Sequence, residues 1–184
     1  INGFKSFPDR THIDFTDGIT SLLGPNGCGK SNIVDSIRWV LGEQSTKTLR
    51  ASSMQDIIFN GTDTRKPLPM AEVTLTIDNE QHYLPTDVPE IVIRRRVYRN
   101  GESEAFINGQ RCRLRNIKEL FMDTGVGKTA YSILEQGKID QILSNKPEDR
   151  RYIFEEAAGI SRYKQKCHEA QNRIERSEEK IAQL

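Results

Sequence analysis

Eight consecutive residues, Gly24-Pro25-Asn26-Gly27-Cys28-Gly29-Lys30-Ser31, fit the pattern G-x-x-x-x-G-K-[ST] in full. Glycines let a backbone wrap closely around a phosphate. Successive N–H groups and a following helix N-terminus then supply partial positive charge. In such a loop Lys30 reaches the β- and γ-phosphates of a nucleotide, and the Ser31 hydroxyl holds Mg²⁺. A glycine-rich turn could carry similar residues, but here a predicted strand precedes the motif and a predicted helix follows it. The candidate site comprises Gly24, Pro25, Asn26, Gly27, Cys28, Gly29, Lys30, Ser31 and the adjoining Asn32. Cys28 occupies a variable position that tolerates a small residue. A second stretch, Gly125-Val126-Gly127-Lys128-Thr129, lacks the first required glycine because position 122 is Met, and it reads as a loop. The acid that P-loop hydrolases place at the end of a buried strand has only a weak candidate, Asp78. The chain is therefore expected to hold ATP and to hydrolyse it poorly without help.

The elements that position this loop follow from periodicity. Thr11–Phe15 alternates weakly, and Gly18–Gly24 (GITSLLG) predicts a short strand. Ser31–Leu41 (SNIVDSIRWVL) predicts a helix that Gly42 ends. Met54–Gly61 holds a short apolar run, and Thr62–Met70 is a proline-containing loop. Ala71 to Phe106 reads as β-structure, with Val73, Leu75 and Ile77 alternating and Asn108-Gly109 as a hairpin turn. Leu114–Met122 predicts a helix, Ser132–Leu134 a short strand and Ile139–Leu143 a short helix; Pro147 suits the first position of another. Ile160, Tyr163, Cys167, Ala170, Ile174, Ser177, Ile181 and Leu184 then follow at gaps of 3 and 4, the seam of a coiled coil.

Composition narrows the classes. Across 184 residues, 27 basic and 26 acidic side chains leave a net charge of +1, which argues against an acidic tail or a strongly basic nucleic-acid arm. Mean hydropathy is −0.63, and no apolar run approaches the length of a membrane helix. Three isolated cysteines at 28, 112 and 167 give no disulfide or zinc framework and fit a reducing cytoplasm. His12, His82 and His168 are isolated, and the run Arg94, Arg95, Arg96 and Arg99 reads as a solvated strand edge. The chain opens on Ile1 and closes inside a helical pattern, so part of a larger protein is expected.

Several segments occur in a telling order. They are Gly3-Phe4-Lys5-Ser6-Phe7, GPNGCGKSN at 24–32, WVLGEQS at 39–45, DIIFNG at 56–61, Arg113-Leu114-Arg115, Asp123–Lys128, Glu135-Gln136-Gly137-Lys138 and FEEAAGI at 154–160. Together they resemble the N-terminal half of the ATPase head of a bacterial SMC (structural maintenance of chromosomes) protein, within the ABC-type superfamily. The resemblance implies an α/β fold. It would be an ABC-ATPase-like N-terminal lobe, with a P-loop core sheet plus an antiparallel β region, and a C-terminal helix starting a coiled-coil arm. Residues 1–159 would form the lobe and 160–184 the root of the arm. It further implies that Gln136 contacts Mg²⁺ and the attacking water, and that Arg50 approaches the γ-phosphate. Lys5 and Ser6 would lie near the α-phosphate or sugar, and Arg113 and Arg115 would face DNA. Family members often carry a lysine where Ser53 stands here.

Implied cofactors are ATP and Mg²⁺. Implied partners are the C-terminal lobe of the same head, a second head in an ATP-dependent dimer, a kleisin subunit and double-stranded DNA held without sequence preference. The competing readings are a zinc-hook coiled-coil ABC ATPase of double-strand-break repair, an ABC transporter ATPase and a small P-loop kinase. The GEQS and EEAAGI segments favour SMC over the first. Gln136 follows Lys30 by 106 positions, about twice the transporter spacing, and neither an acceptor site nor a lid for a kinase is evident.

Overall fold

β-branched and apolar residues at every second position make sheet, and here they make an antiparallel meander. In the computed structural model, which describes residues 1–16, 18–121 and 161–182, it runs β1 (Met70–Asp78), β2 (Glu90–Tyr98), β3 (Ser103–Ile107) and β4 (Gln110–Cys112), hydrogen-bonded in that order. β1 pairs with β2 from Met70↔Tyr98 to Asp78↔Glu90. The β3–β4 turn is Asn108-Gly109, with φ of 48° and 80°, values that these two residues accept most readily. The inward face of β2 presents Ile91, Ile93, Arg95 and Val97, all buried.

Helix α1 (Lys30–Val40) packs on β1 and β2 with Trp39 fully buried, its ring 5.5 Å from that of Phe4. Its end is a Schellman motif. Gly42 takes φ 107° and donates to Trp39 O at 3.1 Å, while Glu43 N donates to Arg38 O at 3.0 Å. The N-terminal residues join β1 to a short 3₁₀ helix, η1 (Met54–Ile57), and the residues that follow it. Asn2 and Glu72 exchange backbone bonds of 2.8 Å, and Phe59 N donates to Gly3 O at 2.8 Å. Gly3 has φ 64°, and a Cβ there would run into the carbonyl of Met70. Helix α2 (Leu114–Phe121) buries Ile117 and Phe121, and Lys118 Nζ donates to Gln44 Oε1 at 2.9 Å.

Two expectations need correction. Gly18–Gly24 is irregular rather than a strand, with Ile19 97% and Leu23 91% exposed. An apolar run of this kind becomes a strand only between neighbours, and among the described residues no strand pairs with it. Thr11–Phe15 is irregular as well. The arginine run is not a solvated edge. Arg95 is buried, Arg96 pairs with Glu72, and Arg99 donates to the carbonyls of Leu68 and Phe59 at 2.7 and 3.0 Å.

The described residues fall into two units, Ile1–Leu120 and Phe121–Leu184. In the second, α3 (Ser161–Ala182) is a continuous helix with Cys167, Ala170, Ile174, Ser177 and Ile181 exposed along the predicted seam. No described helix is long and apolar enough to cross a membrane. The readings at 125–129, 132–134, 136, 139–143 and 147 lie outside the described residues.

Candidate nucleotide site

The loop at 24–31 runs directly into α1, whose first residue is Lys30. Gly27 and Gly29 take φ of 85° and 98°, so the loop needs glycine at both for conformation alone. Gly29 is also closely packed: a Cβ there would lie 2.8 Å from Ser6 Oγ and 3.5 Å from the Phe7 ring. The turn at Lys5–Phe7 is thus pressed against the last glycine of the loop. A Cβ at Gly24 would meet the Cys28 sulfur at 2.7 Å, so glycine at 24 suits cysteine at 28. Lys30 Nζ donates to the carbonyls of Gly24 and Pro25 at 2.5 and 2.6 Å, with Cys28 Sγ at 3.8 Å. Helix α1 begins with no side-chain cap and no acid in its first turn. An uncapped helix start, a lysine at the loop and exposed glycine-rich backbone fit a bound phosphate. Ser31 is exposed at the same end.

A polar network ties the other candidate residues to α1. Asn32 Nδ2 donates to Ser6 Oγ at 2.8 Å. Arg50 Nη2 donates to Asp35 Oδ2 at 2.5 Å and lies 3.4 Å from Asn32 Oδ1. Lys5 Nζ donates to the same Asp35 oxygen at 2.5 Å and also to Leu49 O. Lys5 and Ser6, Asn32 and Arg50, from three separate segments, are therefore brought together: Asp35 joins Lys5 to Arg50, and Asn32 joins Arg50 to Ser6. The Asp35 side chain is 3% exposed, against 52% for Arg50. Sequence reasoning passed over Asp35. The available signal was an acid four residues before Trp39, hence on the same helix face, within an apolar stretch.

The far end of α1 is held from the sheet. Arg95 Nη1 donates to Trp39 O and Glu43 O, both at 2.7 Å, and its guanidinium lies 4.6 Å from the centre of the Trp39 ring. Burial pulls this group down to about 10, only partly opposed by Glu43, and it remains charged at neutral pH. A cation at helix C-terminal carbonyls is favourable. Glu43 Oε1 accepts from Gln44 N and Ser45 N at 2.7 Å, which explains the acid in GEQS.

Elsewhere, Arg113 is exposed immediately before α2, and Arg115 pairs with Glu119 at 2.8 Å one turn on. Ser53 precedes η1, and its N–H donates to the Asp56 carboxylate at 2.7 Å. Asp78 is exposed and accepts from Glu80 N at 2.8 Å, a turn contact.

Residues 1–137 match the family model described as the RecF/RecN/SMC N terminal domain. The chain belongs to that family. The chromosome partition protein Smc of Bacillus subtilis (strain 168) is 59% identical over 174 residues, which are 95% of this chain and 15% of that protein. Among solved structures, the Smc head domain of Pyrococcus furiosus with an extended coiled coil, bound to the C-terminal domain of ScpA, superposes with TM-score 0.78 at 37% identity. The match takes in 98% of this chain and 46% of that one. A structure from work on ATP-driven dimerization and DNA stimulated activation of SMC ATPases gives TM-score 0.73 at 38% identity, over 86% of this chain and 95% of that one. The fold is accordingly that of the N-terminal lobe of an SMC head. The chain spans about 15% of the length of the curated relatives it matches.

Proposed function

We propose that this chain is the nucleotide-binding lobe of a chromosome-organising SMC ATPase. The observation that carries the reading is the glycine-rich loop at the uncapped start of α1, with the Lys30 ammonium held at that loop. Residues 24–32 bind the phosphates through backbone N–H groups and Lys30, and Ser31 and Gln136 are the proposed Mg²⁺ ligands. When bound, ATP supplies the phosphoanhydride and Mg²⁺ offsets its charge. Arg50 serves the terminal phosphate, a role suited to a fork of donors that stays charged. No group of three or more His, Cys, Asp or Glu able to hold a metal occurs among the described residues. On the family resemblance, we assign the remaining acids to a C-terminal lobe, and a signature motif to a second head closing over the nucleotide.

Residues 1–159 act as the lobe and 160–184 as the root of a coiled-coil arm. Arg113 and Arg115 contact DNA phosphates, a salt-sensitive interaction without sequence preference. A kleisin is the expected further partner, and a cytoplasmic, nucleoid-associated location follows from the DNA role. The relatives support this reading: they include a chromosome partition protein, a structure from work on ATP-driven dimerization of SMC ATPases and an Smc head bound to ScpA. The test is ATP turnover by the full-length protein and by residues 1–184 alone. Turnover that needs the full protein and vanishes in Lys30→Ala is expected. Robust turnover by the isolated chain would overturn the composite site and return attention to Asp78.

A further inference from the structure

The carboxylate of Asp35 accepts from two cations through one oxygen, and neither cation is close to it in sequence. Lys5 Nζ and Arg50 Nη2 are each 2.5 Å from Oδ2, so the two nitrogens lie no more than 5 Å apart. Their surroundings differ. The Lys5 side chain is 11% exposed, and its ammonium also donates to Leu49 O, the carbonyl immediately before Arg50. The Arg50 side chain is 52% exposed, and its only hydrogen bonds among the described residues run through Nη2, to Asp35 and Asn32. One edge of the guanidinium is anchored while the rest remains available. Both cationic residues hold left-handed backbones, φ 48° at Lys5 and φ 51° at Arg50, an arrangement that persists only when the surroundings enforce it.

We propose that Asp35 and Lys5 form a mount for Arg50. Asp35 fixes one nitrogen of the guanidinium, Lys5 fixes the backbone carbonyl behind it, and both are positioning residues that make no contact with the nucleotide. The cluster carries two positive charges against one negative, and the surplus is presented on the exposed arginine. Asn32 extends the mount to Ser6 and so to the face of Gly29, linking the arginine's position to the phosphate loop itself. This assignment rests on the reading of residues 24–32 as a nucleotide site. It differs from that reading in taking Lys5 away from the ligand.

The test is a pair of double-mutant cycles read as equilibrium affinity of the full-length protein for a fluorescent ATP analogue. Arg50→Gly and Lys5→Gly are used because glycine accepts the left-handed backbone at both positions. Asp35→Asn keeps shape and removes charge. Each single substitution is expected to weaken binding by about tenfold, the scale of one lost charge-assisted contact. Each double variant, Asp35→Asn/Arg50→Gly and Lys5→Gly/Arg50→Gly, is expected to bind within about twofold of Arg50→Gly alone, because the mount has nothing left to hold.

A merely structural role, or a direct Lys5–phosphate contact, instead gives additive losses approaching about a hundredfold. That result would overturn the mount, as would an Arg50→Gly variant that binds normally. If Asp35→Asn does not fold, the Lys5/Arg50 cycle decides alone. Lys30→Ala separates the two ideas. If it leaves binding intact, the nucleotide site itself is wrong; if it abolishes binding while the cycles are additive, only the mount is wrong.

Discussion

A carboxylate that is almost fully buried must be compensated, and Asp35 is compensated by a lysine and an arginine that also define the candidate site. The glycines work differently, through what they leave out. Gly29 combines φ 98° with Ser6 Oγ at 2.8 Å from any Cβ, so Gly29→Ala carries a conformational cost of about 1–2 kcal/mol and must also displace Ser6. We expect lower thermal stability by roughly that amount and a loss of nucleotide affinity, measured by unfolding and by titration. Unchanged affinity would mean that the loop does not bind through this geometry. Gly24, Gly29, Lys30 and Ser31 were legible in the sequence because the motif demands those types at that spacing. Asp35 was not. Periodicity counts the apolar members of a helix stripe, and an acid among them acquires meaning only when distant cations are seen to reach it.

At the scale of elements, Arg95 fastens the sheet to the end of α1 through two carbonyls and a ring. Arg95→Ala leaves those carbonyls and a cavity behind, and should cost about 3 kcal/mol, read from the shift of a urea unfolding midpoint. A shift under about 0.5 kcal/mol would show the fastening to be idle.

The Asp56 carboxyl is held below its usual 3.8 by the Ser53 N–H first, then by the Ser53 hydroxyl and the Ser52 N–H. Its contribution is complete above that usual value and is lost as pH falls through the lower folded value. The stability gap between wild type and Asp56→Asn, measured in urea, should therefore be present at pH 7 and shrink as pH falls below the usual 3.8. A gap independent of pH would exclude the charge as its source. The strands of the meander could be read from alternation because each is half-buried by its own neighbours. Gly18–Gly24 could not, because an apolar run does not say which strands will flank it. The arginine run misled for a related reason, since β2 turns Arg95 inward toward helix carbonyls that only the fold brings near.

At the scale of the molecule, the exposed Ile19 and Leu23 and the exposed seam of α3 are surfaces that a larger head and arm would cover. If the C-terminal lobe completes the sheet beside Gly18–Gly24, adding that lobe raises the unfolding temperature of residues 1–184. Leu23→Asp should then abolish the increase, and an increase insensitive to Leu23→Asp would place the contact elsewhere. Most direct of all is a calorimetric titration of the protein with Mg-ATP beside its Lys30→Ala variant. Saturable binding at one site per chain, lost in the variant while the fold persists, is the predicted result. Equal binding by both proteins, or binding by neither, would contradict the central claim that residues 24–31 hold the nucleotide.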